Sequence, residues 1–200
     1  MNVRLGNRSP HLAASDGTTI LLDVGLWNGN ATQRDETVLQ DVRGPVLDIG
    51  CGPGRHVYAL ATRGVAALGI DVAPTAVWLA QAKGVPVLER SVFDRVPGAG
   101  RWKTALLLDG NIGIGGDPVP LLRRIADLLA PDGRIVIEVD PPGTSTTSLE
   151  VNLVTEATVS ERFPWAVVGV DGLAAVASAS DLEVYEVGCV DGRWFGWLAA

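Results

Sequence analysis

Short apolar runs alternate with amphipathic segments along the middle of this chain. Five apolar runs predict strands: Pro45–Ile49, Val65–Ile70, Val85–Leu88, Thr104–Leu108 and Arg134–Val139. Helical patterns lie between them: His56–Arg63, Pro74–Lys83 and Val119–Leu129. Strands that are apolar at nearly every position are buried on both faces, which is typical of a parallel sheet covered by helices. The pattern therefore predicts a doubly wound α/β fold.

Both ends of the chain depart from this alternation. Residues 1–34 are rich in Gly, Asn and Thr without strong periodicity, so they predict a lead segment, ordered only in part, before a single domain over residues 35–200. Residues 141–170 are a candidate cap insertion in that domain, formed by a hairpin or an irregular segment. Asp191-Gly192 separates two alternating runs, and an Asp-Gly turn favours an antiparallel hairpin. We therefore expect a seven-stranded sheet made of five parallel strands and a C-terminal antiparallel hairpin.

Charge and composition narrow the classes of partner. The formal net charge is −7, and the sequence lacks the cluster of Lys and Arg that phosphate binding requires. Neither nucleic acid nor an anionic membrane surface is therefore expected as a partner. No apolar run approaches the roughly 20 residues of a membrane span, and the first ten residues lack the apolar core of a secretory signal. Cys51 and Cys189 do not form a disulfide framework, so a cytoplasmic protein is expected.

Three glycines directly follow the first predicted strand. Gly50, Gly52 and Gly54 alternate with other residues between a strand and a helix. Without a Cβ atom, a glycine lets the backbone adopt positive φ and approach a ligand closely, and the helix that follows presents free N–H groups. Asp71 ends the next strand, at a spacing that suits a carboxylate accepting hydrogen bonds from two ribose hydroxyls. The segment predicts a site for a nucleoside-containing cofactor.

Asp48 and Arg55 discriminate between two such cofactors. A dinucleotide-binding loop has glycine or alanine at the position of Arg55 and holds a pyrophosphate, which the carboxylate of Asp48 would repel. S-adenosylmethionine has no phosphate, and its ammonium and sulfonium groups favour a nearby carboxylate. These features favour S-adenosylmethionine as the cofactor. An NAD(P)-dependent oxidoreductase, which would bind a dinucleotide at the same loop, is the alternative interpretation. A catalytically silent module that only binds S-adenosylmethionine is a second alternative.

An ordered set of motifs resembles one family. Val46–Gly54 resembles motif I of class I S-adenosylmethionine-dependent methyltransferases of the small-molecule type. Four further segments resemble the later motifs of that family: Leu68–Asp71, Ser91–Asp94, Leu106–Asn111 and Leu128–Arg134. Asp132 stands where the last motif usually has glycine. The resemblance extends over residues 35–200 and implies a Rossmann-like enzyme that transfers a methyl group from S-adenosylmethionine to oxygen, nitrogen or carbon of a small molecule.

The resemblance also implies which positions bind the cofactor. The methionine part is assigned to Asp48, Gly50, Cys51, Gly52 and Gly54, the ribose to Asp71, the adenine to Val72, Val92, Phe93 and Asp94, and the surroundings of the methyl group to Asp109 and Gly110.

No side chain stands out as a catalytic base. The sulfonium already activates the methyl group, so the main tasks of the protein are alignment and the exclusion of water. A base is needed only for a poorly nucleophilic acceptor, and the candidates are Asp109, His56, Glu138 and Asp140.

Acceptor contacts are expected from three segments of the chain. They are the lead segment around Trp27, the loop of residues 111–117 and the segment of residues 141–165. The two histidines and two cysteines of the sequence are scattered, and they predict no metal site.

Overall fold

A computed structural model describes residues 9–199 of the chain. The strands within this range are β1 His11–Ala14, β2 Thr19–Leu21, β3 Val46–Ile49, β4 Ala67–Asp71, β5 Val87–Glu89, β6 Trp102–Leu107, β7 Leu129–Val139, β8 Thr147–Val154, β9 Phe163–Val167, β10 Glu183–Val190 and β11 Arg193–Ala199. The helices are α1 Val24–Asn28, α2 Gln33–Leu39, α3 Arg55–Thr62, α4 Pro74–Ala82, α5 Pro118–Ala126 and α6 Leu173–Ala179, with short 3₁₀ helices at Asn111–Gly113 and Val170–Gly172.

The larger sheet has seven strands in the order β10-β11-β7-β6-β3-β4-β5. The five strands from β7 to β5 run parallel, whereas β11 is antiparallel to both β7 and β10. The predicted fold class is thereby confirmed, including the hairpin around Asp191-Gly192. Because the strands are parallel, the carboxyl ends of β3, β4, β6 and β7 meet at one edge of the sheet, which is where open α/β sheets bind ligands.

Successive residues of the central strands enter cores on opposite faces of this sheet. On β6, Leu107 packs into the core beneath α5 and α6, whereas Leu106 packs into the core beneath α2 and α3. On β3, Leu47 and Val46 divide in the same way. Because both faces of these strands are buried, successive residues are apolar rather than alternating between apolar and polar.

The structure moves some predicted helix and strand boundaries. Helix α5 ends at Ala126 rather than at Leu129, because the chain turns after it and the Leu128 carbonyl accepts a hydrogen bond from the Gly100 amide. Strand β7 consequently begins at Leu129, before the predicted start at Arg134.

A second, antiparallel sheet has the order β2-β1-β8-β9. Strand β1 pairs with β2 on one side and with β8 on the other, so part of the predicted lead segment forms regular structure with a distant part of the chain. The apolar residues of this segment have too little periodicity to predict a strand. Its partner strand β8 lies about 140 residues away in the sequence, so no local pattern indicates the pairing. The candidate cap insertion supplies β8 and β9 as a hairpin. Residues 1–8 of the predicted lead segment and residue 200 lie outside the described residues.

Candidate functional site

The loop after β3 carries three glycines with positive φ: Gly50 at 71°, Gly52 at 53° and Gly54 at 79°. A Cβ atom at Gly50 would lie 2.7 Å from the Asn111 side chain, and one at Gly54 would lie 2.9 Å from Val85. A Cβ atom at Gly52 would meet no atom within 4 Å. Gly50 and Gly54 are therefore needed for packing, whereas Gly52 faces open space.

Asp71 joins this loop to the end of β4. Its Oδ2 accepts a hydrogen bond from the Gly52 amide at 2.8 Å, and its Oδ1 accepts one from the Ala73 amide at 2.8 Å. Each carboxylate oxygen has a second lone pair for another donor. Asp71 thus fixes the loop and still offers acceptors to a ligand.

Exposed apolar side chains lie on the neighbouring turns. Val72 is 67% exposed and Phe93 is 48% exposed, which leaves apolar surface available to a planar ligand. Val92 is buried and the carboxylate of Asp94 is in solvent. The Arg124 guanidinium holds this turn by donating to the carbonyl oxygens of Val92 and Asp94.

A network of charged side chains lies behind the glycine loop. It consists of Asp35, Asp48, Arg55, His56, Asp109, Glu138 and Arg193. Arg55 pairs in bidentate fashion with Asp109 at 2.5 and 2.9 Å and also donates to Asp35. Arg193 pairs in the same way with Glu138 at 2.7 and 2.6 Å, which connects the C-terminal hairpin to the site.

Asp109 is held as an anion in this network. Burial favours a higher pKa for its carboxyl, but the hydrogen bond from Arg55 and the charges of His56, Arg55 and Arg193 outweigh burial and lower the pKa. Its backbone has φ 56°, and its amide donates to Glu138 Oε2 at 2.6 Å. A paired carboxylate with a lowered pKa is a poor proton acceptor, which argues against Asp109 as a general base.

His56 and Asp48 are buried together beneath the loop, with side chains 3% and 1% exposed. His56 Nε2 lies 3.4 Å from Asp35 and its Nδ1 lies 3.6 Å from Asp48. Burial opposes the charged form of His56, but the two carboxylates outweigh it and raise the pKa to about 9. His56 is therefore a buried cation, which argues against a role as base. The sequence predicts that Asp48 helps to hold the methionine part of the cofactor; in the structure its buried carboxylate lies beside His56.

Two predicted positions remain, Gly110 and Cys51. Gly110 follows Asp109 with φ 80°, and a Cβ there would meet no atom within 4 Å. Cys51 Sγ packs against Gly69, and burial raises the pKa of its thiol. Cys51 can therefore offer a ligand only its backbone. Asn111, whose Nδ2 donates to the carbonyls of Ile49 and Gly50 at 2.9 Å, supports the loop in addition to the predicted residues.

Sequence reasoning missed the roles of Asp35, Arg55 and Arg193. Arg193 Nη1 donates to Asp35 across 158 positions of sequence, and no local pattern signals such a pair. Once the structure shows that Arg55 is buried in the first turn of α3, a charged partner is expected, because buried charged residues are almost always paired.

A cavity of about 460 Å³ opens beside Asp109, between the ends of β6 and β7 and the second sheet; we call it the acceptor cavity. Apolar side chains from the lead segment and β9 line it: Leu12, Ile20, Leu22, Leu26, Trp27, Trp165 and Val167. Its charged lining residues are Asp23, Asp109, Glu138, Asp140 and Arg193. The lead segment around Trp27 and the 141–165 segment, two of the segments from which acceptor contacts are expected, thus line one cavity. The third, the 111–117 loop, contributes Ile112.

Residues 46–133 match the sequence model of a methyltransferase domain. Over 108 residues the chain is 32% identical to an ATP synthase lysine N-methyltransferase of Rattus norvegicus. That alignment covers 50% of this chain and 47% of the rat protein, so the chain spans about half the length of the curated relatives it matches. Among the described residues, no helix has both the length and the apolar character needed to cross a membrane.

Two solved structures share the fold at low sequence identity. An S-adenosylmethionine-dependent methyltransferase from Bacteroides fragilis, in complex with S-adenosyl-L-homocysteine, superposes with a TM-score of 0.79 at 21% identity, covering 98% of this chain and 90% of that one. The 1,6-didemethyltoxoflavin-N1-methyltransferase of Burkholderia thailandensis gives 0.63 at 20% identity, covering 86% and 80%. At these identities the similarity shows the fold.

Proposed function

We propose that this chain, which belongs to the class I S-adenosylmethionine-dependent methyltransferases, binds S-adenosylmethionine at the glycine loop and methylates a small molecule held in the acceptor cavity. The family match covers the glycine loop and Asp71. The acceptor cavity borders the same loop through Asp109 and Gly110. A cofactor site and a second cavity that meet at one edge of the sheet support a two-substrate reaction.

The observation that carries this proposal is the linked pair of Gly52 and Asp71. The open space at Gly52 gives a ligand access to the backbone, while Asp71 keeps free lone pairs for the two hydroxyls of a ribose. The exposed side chains of Val72 and Phe93 would contact the two faces of an adenine. The residues present therefore fit an adenosine-containing ligand.

The remaining predicted cofactor positions complete this proposal. Backbone groups of Gly50, Cys51, Gly52, Gly54 and Gly110 would hold the methionine part, and Asp94 with the backbone at Val92 would bind the adenine edge. Asp48 and Asp109 would act through their negative charge. Residues 35–200 would form the catalytic domain, with residues 9–34 and 141–170 covering the acceptor.

The charges favour a cationic cofactor over a dinucleotide. The one arginine of the glycine loop, Arg55, is already paired with Asp35 and Asp109, so it offers no free charge to a pyrophosphate. Asp71 accepts hydrogen bonds from the backbone amides of Gly52 and Ala73 and pairs with no cation among the described residues. Its uncompensated negative charge beside the loop would repel a pyrophosphate.

When bound, S-adenosylmethionine supplies a methyl group on a positively charged sulfur. The tasks left to the chain are to orient the acceptor and to exclude water. Trp27, Trp165 and the other apolar walls of the acceptor cavity suit both tasks. A concave cavity of this size favours a small acceptor over a folded protein. The two free cysteines, one of them exposed, fit a reducing compartment such as the cytoplasm.

Calorimetry with S-adenosylmethionine and with NAD tests the proposal. We expect S-adenosylmethionine to bind and NAD not to bind. Asp71→Ala should weaken binding by at least about 10- to 100-fold, because even one hydrogen bond to a charged group contributes roughly 1.5–3 kcal/mol. Asp132→Ala removes an exposed carboxylate whose ion pair is with Lys103, and it should leave the affinity unchanged. Binding of NAD, or absence of S-adenosylmethionine binding, would refute the proposal.

A further inference from the structure

We propose that Asp140 selects a small apolar amine as the acceptor by pairing with its ammonium group in the acceptor cavity. This inference rests on the proposed function and names the class of acceptor. It follows from the charges that line the cavity and from the partners that each of them already has.

An anionic acceptor would find little free positive charge in this cavity. Arg193 is the one cation among its described lining residues. An arginine has five N–H donors, and Arg193 uses four of them on Glu138, Asp35 and Asp109. The four lining carboxylates therefore leave an excess of negative charge, which favours a cationic or hydrogen-bond-donating ligand.

Three of the four carboxylates are already committed to partners in the protein. Asp109 and Glu138 form the ion pairs with Arg55 and Arg193. Asp23 caps α1 by accepting a hydrogen bond from the Leu26 amide. Their negative charge is thus partly neutralised or engaged in fixing the backbone.

Asp140 is the remaining carboxylate, and its side chain makes no hydrogen bond or ion pair with any described residue. Its backbone is nevertheless held firmly. The Asp140 amide donates to the Val168 carbonyl at 2.9 Å, and the Val170 amide donates to the Asp140 carbonyl at 2.9 Å. Pro141 and Pro142 follow; their own φ angles are fixed, and Pro141 also restricts the backbone of Asp140 before it. Asp140 is exposed to solvent, so it presents a carboxylate without a protein partner from a fixed backbone position directly after β7.

The walls of the cavity suit the rest of such a ligand. Trp27 and Trp165 line the same cavity as Asp140, and aromatic faces attract cations as well as apolar groups. An ammonium paired with Asp140 would thus keep its apolar body against these aromatic and aliphatic walls.

Asp140 is also suited to take the proton that an ammonium must lose before its nitrogen can act as a nucleophile. That proton passes from nitrogen to Asp140 Oδ, with no other bond broken or formed, and it later leaves to solvent. Partial burial and the neighbouring charge of Glu138 raise the pKa of Asp140, which strengthens it as a proton acceptor.

Matched probes that share a ring and differ in one group test the preference. We would titrate tryptamine, tryptophol and indole-3-acetate, together with the corresponding benzyl and naphthyl series, by calorimetry with and without S-adenosylhomocysteine. In at least one series the amine should bind about tenfold more tightly than the alcohol, and the acid should bind most weakly. Asp140→Asn should remove this amine advantage while changing the affinity of the alcohol by less than about twofold.

Asp23→Asn is the matched control, because it removes another lining carboxylate while asparagine can still cap a helix. It should leave the amine-to-alcohol ratio within about twofold. An equal loss of the ratio in both variants would assign the preference to total charge and overturn the role of Asp140. Absence of an amine preference in every series would also overturn the inference.

The same preparations are titrated with S-adenosylmethionine. Cofactor binding without any amine preference would refute this inference alone, whereas an amine preference without cofactor binding would refute the proposed methyltransferase function alone.

Discussion

At Gly52 and at Gly84 the backbone adopts a left-handed φ, 53° and 75°, and a Cβ atom at either position would meet no atom within 4 Å. The two glycines differ in location. Gly84 follows the end of α4, whereas Gly52 donates its amide to Asp71 in the candidate site. They therefore form a matched pair that separates backbone strain from loss of ligand access.

Gly52→Ala and Gly84→Ala should each destabilise the fold by about 1 kcal/mol, because alanine is strained at positive φ. Gly52→Ala should in addition weaken S-adenosylmethionine binding by more than about tenfold, since its methyl group would occupy the open space of the site. Urea unfolding and calorimetry measure the two effects. Unchanged cofactor affinity in Gly52→Ala would contradict the proposed position of the cofactor.

His56 makes stability depend on pH in the neutral to alkaline range. Its pKa rises from the ordinary 6.5 to about 9 because the carboxylates of Asp35 and Asp48 outweigh the effect of burial. When folding raises the pKa of a group, the resulting stabilisation is fully present below the pKa of the unfolded state. It is lost as the pH rises through the pKa of the folded state. The stability contributed by His56 should therefore decline between about pH 6.5 and pH 9.

Replacing this histidine tests the same point. His56→Gln should cost about 3–5 kcal/mol near pH 6, because it leaves the buried carboxylate of Asp48 without its cation, and the cost should shrink towards pH 9. Urea unfolding across this range measures it. His11→Gln, which changes the other histidine of the sequence, should alter the free energy of unfolding much less. A cost for His56→Gln that does not vary with pH would mean that His56 is neutral in the native state.

At the scale of elements, the charged network connects several parts of the fold that are distant in sequence. Asp35 lies on α2, Arg55 and His56 on α3, Glu138 on β7 and Arg193 at the start of β11. Arg193 reaches Glu138, Asp109 and Asp35 at once. The C-terminal hairpin thus helps to fix the residues behind the glycine loop.

Arg193→Ala should destabilise the protein by about 3–5 kcal/mol, because it exposes several carboxylates to one another in a partly buried site. Arg34→Ala is the control at the same hairpin: Arg34 pairs with Asp191, and these side chains are 49% and 69% exposed, so its loss should cost less than about 1 kcal/mol. Chemical unfolding measures both. Equal effects would indicate that the pairs of Arg193 are screened by solvent.

At the scale of the whole molecule, the two sheets differ in the amount of core that supports them. The three clusters of buried apolar residues gather around the seven-stranded sheet. The four-stranded sheet buries fewer side chains in its described strands, among them Leu12, Val151 and Ala166. This sheet also provides walls of the acceptor cavity.

Amide hydrogen exchange should therefore be at least about tenfold faster in β8 and β9 than in β3 and β6, because segments with less buried apolar surface open at lower free energy. Exchange measured by mass spectrometry on the full chain tests this. Equal protection in the two sheets would indicate that the molecule opens as one cooperative unit.

Local patterns were sufficient for the central strands and helices, for the Asp-Gly hairpin and for the position of the glycine loop and Asp71. Periodicity, glycine spacing and turn chemistry act between neighbours in the chain, so they can be read without knowing the fold. The boundaries of α5 and β7 shifted because the turn between them forms a hydrogen bond with Gly100, which lies in another loop.

The amino-acid sequence by itself determined a parallel α/β sheet with a cofactor-type loop at its carboxyl edge. Only the tertiary structure decided that Asp48 faces His56, that Arg55 and Arg193 neutralise Asp109, and that β1 joins β8 to complete a cavity. The physical reason is that ion pairs and strand pairing depend on which distant segments meet. Residues such as Asp35 and Arg193 carry no local sign of the partner that folding brings to them.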